Sequence, residues 1–224
     1  MNKISRFILD IFFPNRCPIC KKFIDWNKFI CGDCEKDLEK HTDIISWHSL
    51  ITEFNCNKPQ LDRTFICFYY EGKARDGILS LKDGYKEFGY YLGNLLGEKI
   101  LESQIQADAV VPVPMSRESY RKRGYNQAEI IAQGISSLCK LPLITDSLIK
   151  NKSAVQHTLN LKNRIENASA YSQGKQRLDN MKIILCDDVI TTGSTMNSCA
   201  KLLKELGASY VFAAAGTTTK LKKE

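Results

Sequence analysis

The sequence predicts an α/β protein: a mostly parallel sheet flanked by helices, with a small cysteine-rich module at the N-terminal end. Beyond residue 60, apolar runs alternate with amphipathic segments, an alternation typical of parallel sheets covered on both faces. Four of the nine cysteines crowd into residues 17–34. We therefore predict two units, a module over residues 1–60 and a main domain over residues 61–224, with the boundary near residues 52–62.

Local patterns in the main domain predict its strands and helices. Apolar, branched and aromatic runs predict strands over 63–72, 107–114, 141–150, 181–187 and 209–216. Apolar residues at helical spacing predict helices over 84–102, 126–140 and 194–207. Residues 151–169 are polar and weakly patterned, which predicts a long excursion. In sheets of this kind, ligands bind beyond the carboxyl ends of the strands.

Composition narrows the class of protein. Of the 224 residues, 43% are hydrophobic and 25% charged, values typical of soluble globular proteins and not of disordered or membrane proteins. The apolar stretch at 7–14 is short, is interrupted by Asp10 and is not followed by a small-residue cleavage site. We expect them to form a short helix on the core, and we expect no membrane span and a cytoplasmic location. The net charge of +7 favours anionic partners, either phosphorylated metabolites or nucleic acid, although a solvated basic surface is the simpler alternative.

Two adjacent aspartates, Asp187 and Asp188, follow the apolar residues 183–186 and should therefore emerge at the carboxyl edge of the sheet. The Thr-Thr-Gly-Ser-Thr turn at 191–195 leads into a helix, whose free amides and dipole suit a phosphate. Together they match a ribose 5-phosphate unit, with the carboxylates accepting hydrogen bonds from the sugar hydroxyls. The turn has no Walker-type lysine, and no G-x-G-x-x-G follows a strand, so two other phosphate motifs are excluded. The alternative is that the aspartates merely cap the turn.

The stretch "IILCDDVITTGST" resembles the signature of type I phosphoribosyltransferases, which bind 5-phosphoribosyl 1-pyrophosphate (PRPP). Together with "CPIC", "CGDC", "LKDGYKEFG", "VPVPMSRESYRKRGYNQA" and "QHTLNLKNRIENASAY", in that order, it resembles the ComF family. That family is related to amidophosphoribosyltransferases and is named for a role in competence for DNA uptake. The resemblance implies a type I phosphoribosyltransferase fold that binds PRPP with Mg²⁺ and transfers its phosphoribosyl group to a nucleophile.

The resemblance also implies roles for individual residues. Asp187 and Asp188 would hold the ribose hydroxyls, and Lys82 and Arg117 would complete the catalytic group. The rest of the PRPP-binding stretch is Val189, Ile190, Thr191, Thr192, Gly193, Ser194 and Thr195.

A pyrophosphate side and a lid are implied as well. The loop at 115–117 matches the family's pyrophosphate loop, and the basic run at 121–123 would neutralise the leaving group, although three consecutive cations are often a solvated face. Residues 151–169 match a loop that closes over substrate in relatives, where it would exclude water. His157 in this loop has a solvated side chain as its simpler interpretation. The residues expected on this side are Met115, Ser116, Arg121, Arg123, Gln156 and Arg164.

The clustered cysteines predict a structural zinc site. Cys17, Cys20, Cys31 and Cys34 form two C-x2-C pairs, the number and pairing that tetrahedral Zn²⁺ requires, with unpaired structural cysteines as the alternative. The resemblance implies a second set of CxxC pairs after the first, as many ComF proteins look to have. This chain has only Cys56 in that region, so we expect one metal ion. The cysteines expected in the core are Cys67, Cys139, Cys186 and Cys199.

Two functions remain open at this stage. The first is an enzyme that transfers a phosphoribosyl group, with an acceptor that the sequence does not identify. The second is a binding protein, in which the same pocket senses PRPP or is vestigial while the module and the basic surface engage single-stranded DNA or DNA-uptake proteins. An intact acidic pair and phosphate turn favour a working ligand site.

Overall fold

The computed structural model describes residues 15–39, 60–151 and 170–219. Its helices are α1 (Gly32–Glu39), α2 (Gly72–Lys82), α3 (Glu87–Glu102), α4 (Arg117–Arg123), α5 (Gln127–Cys139) and α6 (Ser194–Glu205). Its strands are β1 (Arg63–Tyr69), β2 (Ala109–Pro112), β3 (Leu148–Lys150), β4 (Tyr171–Gln173), β5 (Lys182–Ile190) and β6 (Tyr210–Thr218). Within these residues, no helix has the length and apolar character needed to cross a membrane.

The main sheet has the strand order β1-β6-β5-β2, and every pairing in it is parallel. Strands β5 and β6 lie in the centre, which explains their near-continuous apolar sequences, because a strand buried on both faces needs apolar side chains on both. The predicted parallel sheet flanked by helices is confirmed. Strands β3 and β4 pair separately as a short antiparallel ribbon.

Alternate side chains of the sheet pack into two hydrophobic clusters, one on each face. Ile184 and Cys186 of β5 belong to a cluster that also contains buried residues of α2, α3 and α5. Ile183 and Leu185 belong to the other, which contains the apolar face of α6 and parts of the ribbon. The four cysteines expected in the core are apolar packing residues, although Cys139 is only partly buried.

The cysteine-rich segment packs directly on the first of these clusters. Cys17, Ile30 and Leu38 are buried in the same cluster as residues of α2 and α3. Phe29 stacks on Tyr90 of α3, with ring centroids 6.3 Å apart. The described part of the module therefore shares one hydrophobic core with the sheet.

Three details of the predicted elements were wrong. Residues 141–150 are not a strand of the main sheet: Leu143 makes a single parallel bridge to Val110, and the chain then turns away to form β3. The helices α1, α2 and α4 were not predicted, because mixed polar residues hide their helical spacing. Strand β5 does not end at Asp187 but continues to Ile190, since β6 pairs with it that far. The helix expected at 7–14 lies outside the described residues.

Candidate functional site

A cleft opens where β2 stops and its neighbour β5 continues. The last pair of this ladder joins Pro112 to Cys186, after which the chain leaves the sheet towards α4. Beyond that point β5 has β6 on one side and no strand of the described residues on the other. The space that remains is a cleft of about 250 Å³, and both members of the acidic pair, Asp187 and Asp188, line it.

The two carboxylates lie on a regular strand and not in a turn, because β5 continues past them to Ile190. Side chains alternate between the two faces of a strand. Asp187 is therefore on the face of β5 that packs against α6, and Asp188 is on the face that packs against α2. Both reach the cleft because β2 has ended beside them. Asp188 Oδ2 lies 3.5 Å from Nζ of Lys82, the last residue of α2.

Backbone amides also hold the acidic pair in place. The Asp188 amide donates to Asp187 Oδ1 at 2.9 Å, and the Val189 amide donates to Asp188 Oδ1 at 3.0 Å. The Thr217 hydroxyl of β6 donates to the Asp188 carbonyl at 3.3 Å. These amides occupy one acceptor position of each carboxylate, so further acceptor positions remain for a ligand, and Asp188 Oδ2 faces Lys82.

The negative charge of the acidic pair is only partly compensated by its surroundings. Burial and the adjacent charge of Asp188 raise the pKa of Asp187 well above its ordinary value, and the Asp188 amide and Lys150 only partly oppose this rise. Two carboxylates so close cannot both ionise without cost. Cations or hydroxyl donors that enter the cleft would therefore relieve the repulsion.

The turn after β5 has the backbone of an anion site. Gly193 has φ of +70°, a left-handed conformation that glycine adopts without steric cost, and it is the N-cap of α6. A glycine has no side chain with which to cap the helix, so the first-turn amides stay available to a ligand. The Ser194 amide is 3.4 Å from Thr192 Oγ1, a long contact, and Thr195 lines the cleft.

The structure brings seven of the residues that the sequence singles out into one cleft, while Thr191, Thr192, Gly193 and Ser194 are not among its described lining residues. Those that line the cleft are Lys82, Met115, Ser116, Arg123, Asp187, Asp188 and Thr195. Ser116 is also the N-cap of α4, because its Oγ accepts from the Ser119 amide at 3.1 Å. Arg117 and Arg121 are exposed on α4 and are not among the described lining residues. Val189 and Ile190 continue β5, while Gln156, His157 and Arg164 lie outside the described residues.

Five polar lining residues were not predicted. Asn126 is the N-cap of α5 and Gln127 its first residue, and the Asn126 side-chain Nδ2 donates to the Val113 carbonyl at 2.9 Å, which joins the helix to the loop after β2. Their position at the start of a predicted helix could have indicated them. Lys150 and Tyr171 face each other across the β3–β4 ribbon, a pairing with no local signal. The five are Ser119, Asn126, Gln127, Lys150 and Tyr171.

The four clustered cysteines form a second candidate site. Their sulfur atoms all lie within 4.8 Å of one another, and the Cys20 and Cys31 sulfurs are 3.5 Å apart. In a tetrahedral zinc–thiolate site, Zn–S bonds of about 2.3 Å place the sulfurs about 3.8 Å apart. The observed spacing fits such a site, and four thiolates would leave no position open for substrate.

The surroundings of the cluster suit thiolate ligands. Burial opposes ionisation of Cys17, but the amides of Cys20, Cys31 and Ile19 outweigh it and lower the pKa of Cys17 to about 7. Burial and the neighbouring thiols raise the pKa of Cys34. Without a cation, the cluster therefore favours one thiolate and resists others, and a divalent metal removes that conflict.

Comparison with known proteins places the chain in a family. Residues 92–224, more than half of the chain, match the model of the phosphoribosyl transferase domain, and residues 8–44 match that of the double zinc ribbon domain. Competence protein ComFC of Bacillus subtilis is 32% identical over 191 residues, which cover 85% of this chain and 72% of that protein. The chain belongs to the ComF family. The zinc ribbon match and the cysteine cluster together support structural zinc.

Two further curated proteins agree with this assignment. DNA utilization protein YhgH of Escherichia coli is 29% identical over 204 residues, which cover 87% of this chain and 86% of that protein. Competence protein F of Haemophilus influenzae is 34% identical over 108 residues, about half the length of each chain. A solved glutamine phosphoribosylpyrophosphate amidotransferase from B. subtilis is 22% identical with a TM-score of 0.41, covering 62% of this chain and 27% of its own. The fold assignment rests on the family model.

Proposed function

We propose that this protein binds PRPP with Mg²⁺ and transfers its phosphoribosyl group to a nucleophile. The observation that carries the proposal is the shared cleft: the acidic pair, the end of the glycine turn at Thr195, and Lys82 all line one cavity. A ligand with a phosphate at one end and sugar hydroxyls next to it matches this arrangement. The phosphoribosyl transferase domain of the family supports the same ligand class.

The acidic pair would bind the ribose. The carboxylate oxygens of Asp187 and Asp188 that the backbone amides leave free would accept hydrogen bonds from the 2- and 3-hydroxyls. Because burial and Asp188 raise the pKa of Asp187, hydroxyl donors would favour its ionised form. Residues 191–195 would hold the 5-phosphate at the N-terminus of α6.

The cationic residues of the cleft would receive the pyrophosphate. Arg123 and Lys82 line the cleft together with Met115 and Ser116 and would supply positive charge to it. Carboxylate oxygens are ligands that Mg²⁺ prefers, so the residues present fit this ion, which would help to neutralise the departing group. Arg117, Arg121 and the segment with Gln156 and Arg164 stay predicted contributors to this side.

Calorimetric titration with PRPP and Mg²⁺ tests the proposal. We expect saturable binding by the wild type and a loss of at least about 100-fold in affinity for the D187N/D188N double variant, because two charged hydrogen-bond acceptors are removed. The matched control is Asp179→Asn, an exposed aspartate that pairs with Arg177 on the surface. Absence of wild-type binding, or equal binding by the double variant, would contradict the proposal.

A second candidate function is DNA handling during uptake, in which the PRPP pocket regulates or is vestigial. It is favoured by the names of the relatives, which are competence and DNA utilization proteins, and by the net charge of +7. Fluorescence anisotropy with a labelled single-stranded oligonucleotide, measured over a range of salt concentrations, tests it. We expect affinity to fall steeply with salt. No binding at low salt would exclude direct contact with DNA. Cytoplasmic location and the boundary near residue 60 stay predictions.

A further inference from the structure

The first cysteine pair contacts the helix that carries the cleft lysine. Lys21, directly after Cys20, donates from Nζ to the Pro18 carbonyl at 2.7 Å and to Ser80 Oγ at 2.8 Å. The same ammonium lies 3.4 Å from the centroid of the Tyr85 ring, well within cation–π range. One side chain thus joins the turn between Cys17 and Cys20 to the end of α2.

This junction is tightly built. Ser80 is buried, and its hydroxyl donates to the Pro18 carbonyl. The backbone of Lys21 has φ of +63°, a left-handed conformation that costs a non-glycine residue energy and persists where the surrounding contacts enforce it. A glycine would adopt this conformation without strain. The lysine accepts the strain and in return makes the side-chain contacts with Ser80 and Tyr85.

The joined turn of α2 leads directly into the cleft. Lys82 follows Ser80 by two residues in the last turn of the helix, and its Nζ lies 3.5 Å from Asp188 Oδ2. Between them, the carbonyl of buried Leu81 accepts from the Tyr125 hydroxyl. The last turn of a helix frays unless other parts of the protein hold it. Lys21 contacts it from the cysteine module, and Tyr125 contacts it from the start of α5.

We propose that Lys21 is a positioning residue, which transmits the folded geometry of the cysteine module to Lys82 and keeps that lysine beside Asp188. The module would then do more than stabilise the fold, because it would set the charge arrangement of the cleft. The consequence for PRPP affinity rests on the proposed function, whereas the position of Lys82 does not.

Two variants and a matched control separate positioning from stability. Lys21→Met keeps the aliphatic stem and removes the charge, and Lys21→Gly also removes the strain of the left-handed backbone. The control is Lys22→Ala, the neighbouring lysine, whose exposed side chain pairs with the exposed Asp33. Zinc content and circular dichroism identify the variants that fold, and Lys21→Gly is the one whose backbone is least strained.

The primary measurement is the rate at which an amine-acetylating reagent labels Lys82, followed by peptide mass spectrometry. We expect labelling to rise about threefold or more in both Lys21 variants, since an unheld helix end exposes its lysine more often, and to stay unchanged in the control. Equal labelling in wild type and Lys21 variants, or an equal rise in the control, would overturn the proposal.

Titration with PRPP and Mg²⁺ adds the functional readout. A coupling between module and cleft should weaken affinity in the Lys21 variants by about fivefold or more, with zinc content unchanged. If the wild type binds no PRPP while labelling still depends on Lys21, the proposed function fails and the positioning role stands. If the variants label faster at Lys82 but bind PRPP as the wild type does, the link from Lys82 position to affinity is wrong.

Discussion

The cysteine cluster and the acidic cleft are built in opposite ways. The cluster takes all its groups from residues 17–34, a segment whose own turns bring the sulfurs together. The cleft takes its groups from positions as distant as Lys82, Lys150 and Asp188, which only the sheet and the ribbon bring together. A site with local ligands is readable from spacing, whereas a site at a sheet edge depends on where neighbouring strands end.

The two sites also differ in how they treat negative charge. Backbone amides lower the pKa of Cys17 to about 7, so the cluster already stabilises one thiolate. Burial and a neighbouring carboxylate raise the pKa of Asp187, so the cleft does not fully compensate the charge of this carboxylate when it ionises. The cluster therefore suits a resident cation, whereas the cleft leaves the ionised form of Asp187 only partly compensated.

Loss of the metal ligands should have the largest effect on stability. We expect C17S/C34S to lose zinc and to lower the melting temperature by about 10 °C or more, because removal of a metal site is among the most destabilising single changes and this one opens the shared core. Differential scanning calorimetry with metal analysis measures both. Cys139→Ser, a partly buried cysteine outside the cluster, is the control. An equal loss in both proteins would contradict a special role for the cluster.

Overpacking between α3 and α5 should come next. A Cβ at Gly93 of α3 would clash with the Ile131 carbonyl and lie 2.8 Å from the Gly134 Cα, where α3 and α5 approach each other backbone to backbone. We expect Gly93→Ala to lower the free energy of unfolding by about 2 kcal/mol in urea denaturation. Gly32→Ala in the cysteine module meets no atom within 4 Å and should change it by less than about 0.5 kcal/mol. Similar losses for both would show that the helix contact is looser than described.

The smallest effect should be a gain in stability at the cleft. Because the pKa of Asp187 is raised in the folded state, the folded protein keeps this proton to a higher pH than the unfolded chain. Ionisation of Asp187 therefore costs stability, and the cost grows as pH rises from the ordinary value of 3.8 through the folded pKa. We expect Asp187→Asn to raise the free energy of unfolding by about 1 kcal/mol at neutral pH, a size common when a functional site is relieved of strain.

That gain should depend on pH. Below the ordinary pKa of an aspartate, the carboxyl is protonated in both states, so the difference between wild type and Asp187→Asn should vanish there. The exposed Asp179→Asn should show no such dependence. A loss of stability in Asp187→Asn at neutral pH would indicate that the carboxylate is compensated by groups in the cleft.

Much of the fold was predictable because buried strands and amphipathic helices have distinct patterns. The apolar run before Asp187 indicated the central strand, and Gly193 with the threonines beside it indicated the phosphate turn. The length of β5 was not predictable, because β6 extends it through pairing beyond the apolar run. Residues 141–150 have an equally strand-like sequence, yet this segment leaves the main sheet after a single bridge. The reason is that the available pairing partners, and not strand propensity alone, decide which segments join a sheet.

The sequence by itself determined the chemistry available to this protein: the paired aspartates, the glycine turn and the four thiols, all specified by local order along the chain. Tertiary structure decided which of these groups meet. It ended β2 beside Asp187, brought Lys150 and Tyr171 across the ribbon, and joined Lys21 to the helix that presents Lys82. The physical reason is that residue type and spacing act over a few positions, whereas strand register and helix docking depend on the packing of the whole core.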